Sequence, residues 1–166
     1  MFADEGIGVH LCKLLEKNYK FTHSNHSLDF VDGGTLALQL SYIIAEYDKM
    51  IVLDCIDADD SKIGDVFFFP YDAMPKKINW SGSAHEVEML QTLQYMELMG
   101  DLPHTQILAC VPKRIKPMSF TLSQEIVSAG EIMEKTLLEY LTKEGFSYEK
   151  IANHSLQELA DISYKN

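Results

Sequence analysis

A chain of 166 residues fits one domain, since domains typically run to roughly 100–150 residues and at that size bury about 70% of the unfolded chain's surface. Its apolar fraction of 46% and charged fraction of 23% exclude a low-complexity or disordered chain. A net charge of −11 without a dense Lys/Arg cluster excludes the basic stripe that nucleic acid requires, and apolar runs such as Ile51–Leu53 and Val66–Phe69 are far shorter than the ~20 residues of a membrane span.

The opening Met1-Phe2-Ala3-Asp4-Glu5 lacks the basic region and apolar run of a secretion signal, so the expected compartment is the cytoplasm. Ile7, Leu11, Leu14 and Leu15 recur at helical spacing behind Asp4 and Glu5, predicting a helix over about 5–19 with acids at its positive end. Ser27–Val31 alternates polar and apolar before Asp32-Gly33-Gly34 and reads as a short strand and tight loop. Thr35 can then cap a helix carrying Leu36, Leu40, Ile43 and Ile44. The run Met50-Ile51-Val52-Leu53 reads as a strand buried on both faces.

Val66–Phe69, closed by Pro70, is a second apolar strand, and 70–81 reads as loop. Ser83 with Glu86 three residues on has capping-box spacing, and Val87, Leu90, Leu93 and Met96 continue a helix that Gly100 ends. Thr105–Val111 is a third buried strand. Leu122–Leu141 is a long amphipathic helix closed by Gly145. One domain over 1–166 is expected, with 146–166 a less ordered tail holding at most one weak helix. Strands alternating with helices predict an α/β fold, a three-layer sandwich of a mostly parallel twisted sheet between helices. Ligands gather at the carboxyl ends of such strands, which places Asp32, Asp54 and the residues after Val111 on one rim.

Asp54 ends a buried strand, where a carboxylate wants a partner; read alone, it serves equally as a capping or loop-ordering residue. Asp57, Asp59 and Asp60 lack the Gly and distal Glu of a calcium loop and read as a solvated acidic loop. His85, in the first turn of its helix, and Glu5, at a helix start, are each explained without a ligand role. Together, two carboxylates and one imidazole would suit a borderline divalent ion that takes further ligands from elsewhere. Gly6-Ile7-Gly8 is too short for a dinucleotide fingerprint. His23 and His26 have no obvious third ligand, and the helically spaced Met89, Met96 and Met99 read as core. Cys12, Cys55 and Cys110, with no C-x-x-C pair, are expected to be plain buried thiols.

The set Phe2-Ala3-Asp4-Glu5-Gly6-Ile7-Gly8, Asp32-Gly33-Gly34-Thr35, Asp54 after an apolar strand, Ser83-Ala84-His85, Val111-Pro112 and Leu122-Ser123 resembles the hydrogenase maturation protease family over about the first 130 residues. The resemblance implies a cytoplasmic endopeptidase that removes a short C-terminal extension from the large-subunit precursor of a nickel-iron hydrogenase after nickel insertion. It implies metal ligation by Glu5, Asp54 and His85, with the nickel supplied by the substrate as a recognition flag, and it places Asp32 in a loop near the cleft. No Ser-His-Asp or Cys-His arrangement stands at a recognisable motif. The chemistry expected is metal-assisted hydrolysis with Asp32 or a ligand carboxylate taking the proton.

Two departures from the family pattern stand out. Its members usually open with an apolar strand and a Gly-x-Gly-Asn turn, whereas this chain starts inside the Phe-Ala-Asp-Glu motif, so a sheet lacking that first strand is expected. Ala84 and Glu86 stand where Pro and Gln are usual. Two other readings remain open, a module that binds nickel or precursor without cleaving it, and a receiver domain with Asp54 as phospho-acceptor and Lys113 as its lysine.

Overall fold

The computed structural model describes residues 4–33, 40–74, 78–79, 84–113 and 121–163. A 3-10 turn at Asp4–Gly6 leads into helix α1 (Ile7–Asn18). Ile7, Leu11, Leu14 and Leu15 form its buried stripe, as their spacing predicts, and the helix stops where Tyr19 turns extended. Helix α2 (Ser41–Ile44) is the described part of the expected second helix; Thr35 lies outside the described residues.

Strands β2 (Lys49–Cys55), β6 (His104–Cys110) and β4 (Val66–Pro70) form one sheet in the order β2-β6-β4. Strand β6 is the centre, and Ile107, Leu108, Ala109 and Cys110 are completely buried. β2 and β6 run parallel, and the connection between them contains helix α3 (Ala84–Met99). β4 is antiparallel to β6, so the sheet is mixed. The reason is chain length: the 56–65 segment between β2 and β4 is shorter than the dozen or so residues a parallel crossover needs.

Alternation along β2 builds two apolar layers. Ile51, Leu53 and Cys55 join α1, α4 (Gln124–Lys143) and α5 (Leu156–Ser163) on one face. Met50 and Val52 join Met89, Leu90 and Leu93 of α3 on the other. The α/β class and the helix–sheet–helix layering follow the expectation from sequence. Ser123 caps α4 by accepting from the Ile126 amide, and Gly145 ends it at a φ of 94°, the left-handed region that glycine tolerates.

Three segments depart from expectation. Ser27–Val31 is irregular coil, because its Leu28 and Phe30 pack onto the core without a neighbouring strand to pair with among the described residues. The strand in this region is β1 (Tyr19–Thr22), antiparallel to β7 (Ser147–Lys150) and packed ring to ring through Tyr19, Phe21 and Tyr148. The 70–81 segment, expected to be loop, holds a 3-10 turn at Tyr71–Ala73 and β5 (Ile78–Asn79), which pairs with β3 (Asp57–Ala58).

The segment beyond residue 146, expected to be a less ordered tail, carries β7 and α5 up to Ser163. Leu156, Leu159 and Ala160 of α5 are buried. Asn18, itself buried, latches this segment: its Oδ1 accepts from the His154 amide at 2.8 Å and its Nδ2 donates to the His154 carbonyl at 2.9 Å. Asn18→Ala should therefore cost roughly 1–2 kcal/mol, two lost part-buried hydrogen bonds to a backbone segment at exposed His154 that water can reach. Urea unfolding checks this as a lower midpoint at unchanged slope.

Candidate functional site at the sheet rim

The start of α1 lies directly on the end of β2. A methyl group on Gly8 would sit 2.0 Å from the Leu53 carbonyl oxygen and 2.8 Å from its carbon, so only glycine lets helix and strand backbones come this close. The Asp4–Gly6 turn is thereby set beside the carboxyl end of β2. Two further bonds hold it: the Cys55 thiol donates to the Asp4 carbonyl at 3.3 Å, and the Ser123 amide donates to Asp4 Oδ1 at 2.9 Å. Asp4 thus ties the turn both to the sheet and to the N-terminus of α4.

Glu5 is half-buried in that turn. Asp54, also half-buried, stands one residue before the end of β2, and its Oδ1 accepts from the Cys55 amide at 2.8 Å. By alternation Asp54 falls on the face that α3 covers, while Glu5 arrives from the α1 face. Helix α3 ends in a tight turn, with Gly100 at a φ of 80° and the Asp101 amide bonded to the Met96 carbonyl. The chain then enters β6 at His104. The helix therefore runs back along the sheet, and its first turn, with His85, lies toward the carboxyl ends of β2 and β6. The side chain of His85 lies outside the described residues, as does Ser83, and among those described no group of three His, Cys, Asp or Glu is arranged to hold a metal ion.

Asp32 ends the described coil before Gly33, with Oδ2 3.8 Å from Lys13 Nζ of α1. At that distance, with both partners well exposed, the pair contributes little to stability. Asp32 thus stands against the second turn of α1, while the Asp4–Gly6 turn meets the end of β2 at its first.

Residues 9–140 match the family model for hydrogenase maturation protease. The chain belongs to the hydrogenase maturation protease family. It is 46% identical to protein HydD of Wolinella succinogenes over 158 residues, 95% of this chain and 99% of that protein. It is 23% identical to the hydrogenase 2 maturation protease of Escherichia coli over 118 residues, 70% of each chain. Its fold is that of the Escherichia coli hydrogenase maturating endopeptidase HybD, with a TM-score of 0.76 at 21% identity over 90% of this chain and 91% of the other. The Thermococcus kodakarensis [NiFe] hydrogenase maturation protease HybD superposes with a TM-score of 0.63 at 20% identity, covering 85% and 91%.

One residue of this family member escaped the sequence reading. His10 is buried on α1, its Nδ1 has no hydrogen-bond partner, and its Nε2 would meet a methyl group on Gly6 at 2.8 Å. Its position on the Ile7–Leu11–Leu14 stripe was the available signal. Burial lowers its pKa, Lys13 lowers it further, and Asp32 acts in the opposite sense. On the same helix, burial foremost pushes the Cys12 thiol up to about 11, leaving it a poor nucleophile at neutral pH. Lys113, the lysine a receiver domain would use, is engaged by Glu125 at 3.0 Å. His23 Nδ1 accepts from the amides of Asn25 and His26, both at 3.0 Å, which accounts for it as a turn former.

Two stability measurements test this packing. Gly8→Ala forces a methyl into the Leu53 carbonyl and should cost roughly 3 kcal/mol; an unchanged urea midpoint would remove the contact from the account. For His10, the unfolded chain takes up a proton below about pH 6.5 that the buried imidazole refuses, so stability falls as pH drops through that value. Between about pH 7.5 and about pH 5.5 the wild-type midpoint should decline more steeply than that of His10→Asn.

Proposed function

We propose that this protein is a cytoplasmic endopeptidase that removes the C-terminal extension of a nickel-iron hydrogenase large-subunit precursor after nickel insertion. The observation that carries this reading is the Gly8–Leu53 contact, which sets the turn bearing Glu5 beside the end of β2 where Asp54 stands. The first turn of α3, with His85, is directed to the same rim. Glu5, Asp54 and His85 would make a set of two carboxylates and one imidazole with coordination positions left open for groups of the substrate.

Nickel in this reading is cargo of the precursor, and an extension held beside a filled nickel centre is what the rim recognises. Hydrolysis then requires a polarised carbonyl or water and an acceptor for the water's proton. Asp32, or one of the ligand carboxylates, takes that proton, and the departing amine leaves protonated. The chain's acidic surface favours approach of a basic tail, an effect on encounter rate more than on identity.

The test is incubation with nickel-loaded and nickel-free precursor, read as a mobility change under denaturing conditions. Only the loaded precursor should be shortened. Asp54→Asn should abolish nickel-dependent binding and cleavage together, whereas Asp32→Asn should retain binding and lose about 10²–10⁴ in rate, the usual worth of a general base. Full cleavage by Asp32→Asn would remove it as the base. A stable complex with loaded precursor that is never shortened would replace the protease by a binding module.

A further inference from the structure

Helix α3 departs from the pattern of a surface helix, which turns an apolar stripe inward and a polar face to water. Leu93 and Met96 are buried on its inner side, and Met89 and Leu90 pack partly buried in the same layer as Leu93. On the outer side Tyr95, Leu98 and Met99 are apolar as well, and exposed, Leu98 by 84%. Their i, i+3, i+4 spacing sets them side by side on one stripe. The solvent face of α4 shows the contrast: Glu125, Ser128, Glu131, Lys135 and Glu139 leave Ile132 as an isolated apolar residue. A helix apolar on every side is ordinarily covered on every side, and clustered exposed apolar side chains mark contact surfaces.

Charge selects the partner. Between Lys77 and Lys113 the chain has no lysine or arginine, whereas Glu86, Glu88, Glu97 and Asp101 are acidic. Glu97 and Asp101, both exposed, adjoin the apolar stripe. A second copy of this chain would set these carboxylates against their own images in an isologous contact, and like charges so placed repel. An anionic lipid surface would be repelled as well. The complement is a protein surface with an apolar centre and a basic border.

We propose that the outer face of the last turns of α3 docks the folded body of the precursor, through an apolar patch bordered by Lys and Arg. This rests on the function proposed above. At about 1.5 Å of rise per residue, Leu98 lies about 20 Å along the helix axis from His85. The extension occupies the rim while the body that carries it grips the far end of the same helix. Affinity is thereby supplied away from the bond that is cut. Tyrosine is a side chain that anchors interfaces, and methionine adapts its shape to a partner.

The first measurement needs no cleavage: the whole chain is titrated with nickel-free precursor and the Kd is read. Leu98→Asp should raise the Kd about tenfold to a hundredfold, the worth of one leucine's burial, with the urea midpoint of the chain unchanged. Asp101→Lys should also raise the Kd and flatten its dependence on salt. Ile132→Asp, the same kind of change on α4, should bind as wild type does. Equal affinity of Leu98→Asp and wild type would overturn the proposal. So would a dimer of the chain alone in sedimentation, or its flotation with phosphatidylglycerol vesicles, if Leu98→Asp abolished either, since a second copy or lipid would then cover the stripe.

The second measurement is cleavage of nickel-loaded precursor by the same variants, where Leu98→Asp should raise KM by a similar factor. Precursor shortened by wild type and by Leu98→Asp at the same KM would overturn the docking and leave the protease reading standing. Precursor bound through Leu98 and never shortened by wild type would sink the protease reading and leave the docking standing.

Discussion

The approach of the α1 backbone to the Leu53 carbonyl sets the position of everything that follows at the rim. A helix normally stands off a sheet by the length of its side chains, and at Gly8 that spacer is absent. The helix start is drawn down onto the strand end, which brings an acidic turn to the edge of an apolar sheet. Asp4 then works as a bracket, accepting one bond from the sheet through Cys55 and one from the cap of α4 through Ser123. Glu5 inherits its place from these neighbours.

Around that contact the energetics are those of burial. The central strand is covered on both faces, by α1, α4 and α5 on one side and α3 on the other. The ion pairs Lys13–Asp32, Lys113–Glu125 and Lys135–Glu139 are all on the surface and contribute little by comparison. An apolar sheet holds the ends of β2 and β6, and the polar side chains of Glu5 and Asp54 there stay half-buried. Among the described residues, His10 Nδ1 is a buried polar atom without a hydrogen-bond partner, in the layer on the α1 side of the sheet.

Helical periodicity was legible in α1 and α4: the Ile7–Leu11–Leu14–Leu15 stripe and the run ending at Leu141 lie in helices of nearly the expected bounds. The continuous apolar runs at 50–53, 66–69 and 105–111 proved to be the strands of the sheet. Alternation misled at Ser27–Val31, because a strand needs a partner and sequence pattern does not supply one. Strands β1 and β7, short and largely polar, carry no strong pattern and exist through pairing with each other.

By itself the sequence determined the α/β class, the identity of the apolar strands and the presence of Glu5, Asp54 and His85 at the ends of elements, since burial acts on local periodicity. Direction within the sheet, the antiparallel entry of β4 and the docking of 146–163 through Asn18 belong to tertiary structure, because they depend on connection length and on partners more than 100 residues away. The placement of the Asp4–Gly6 turn beside the end of β2 was likewise decided only in three dimensions. Residues about 50 apart in the chain meet there because one missing side chain lets two backbones touch.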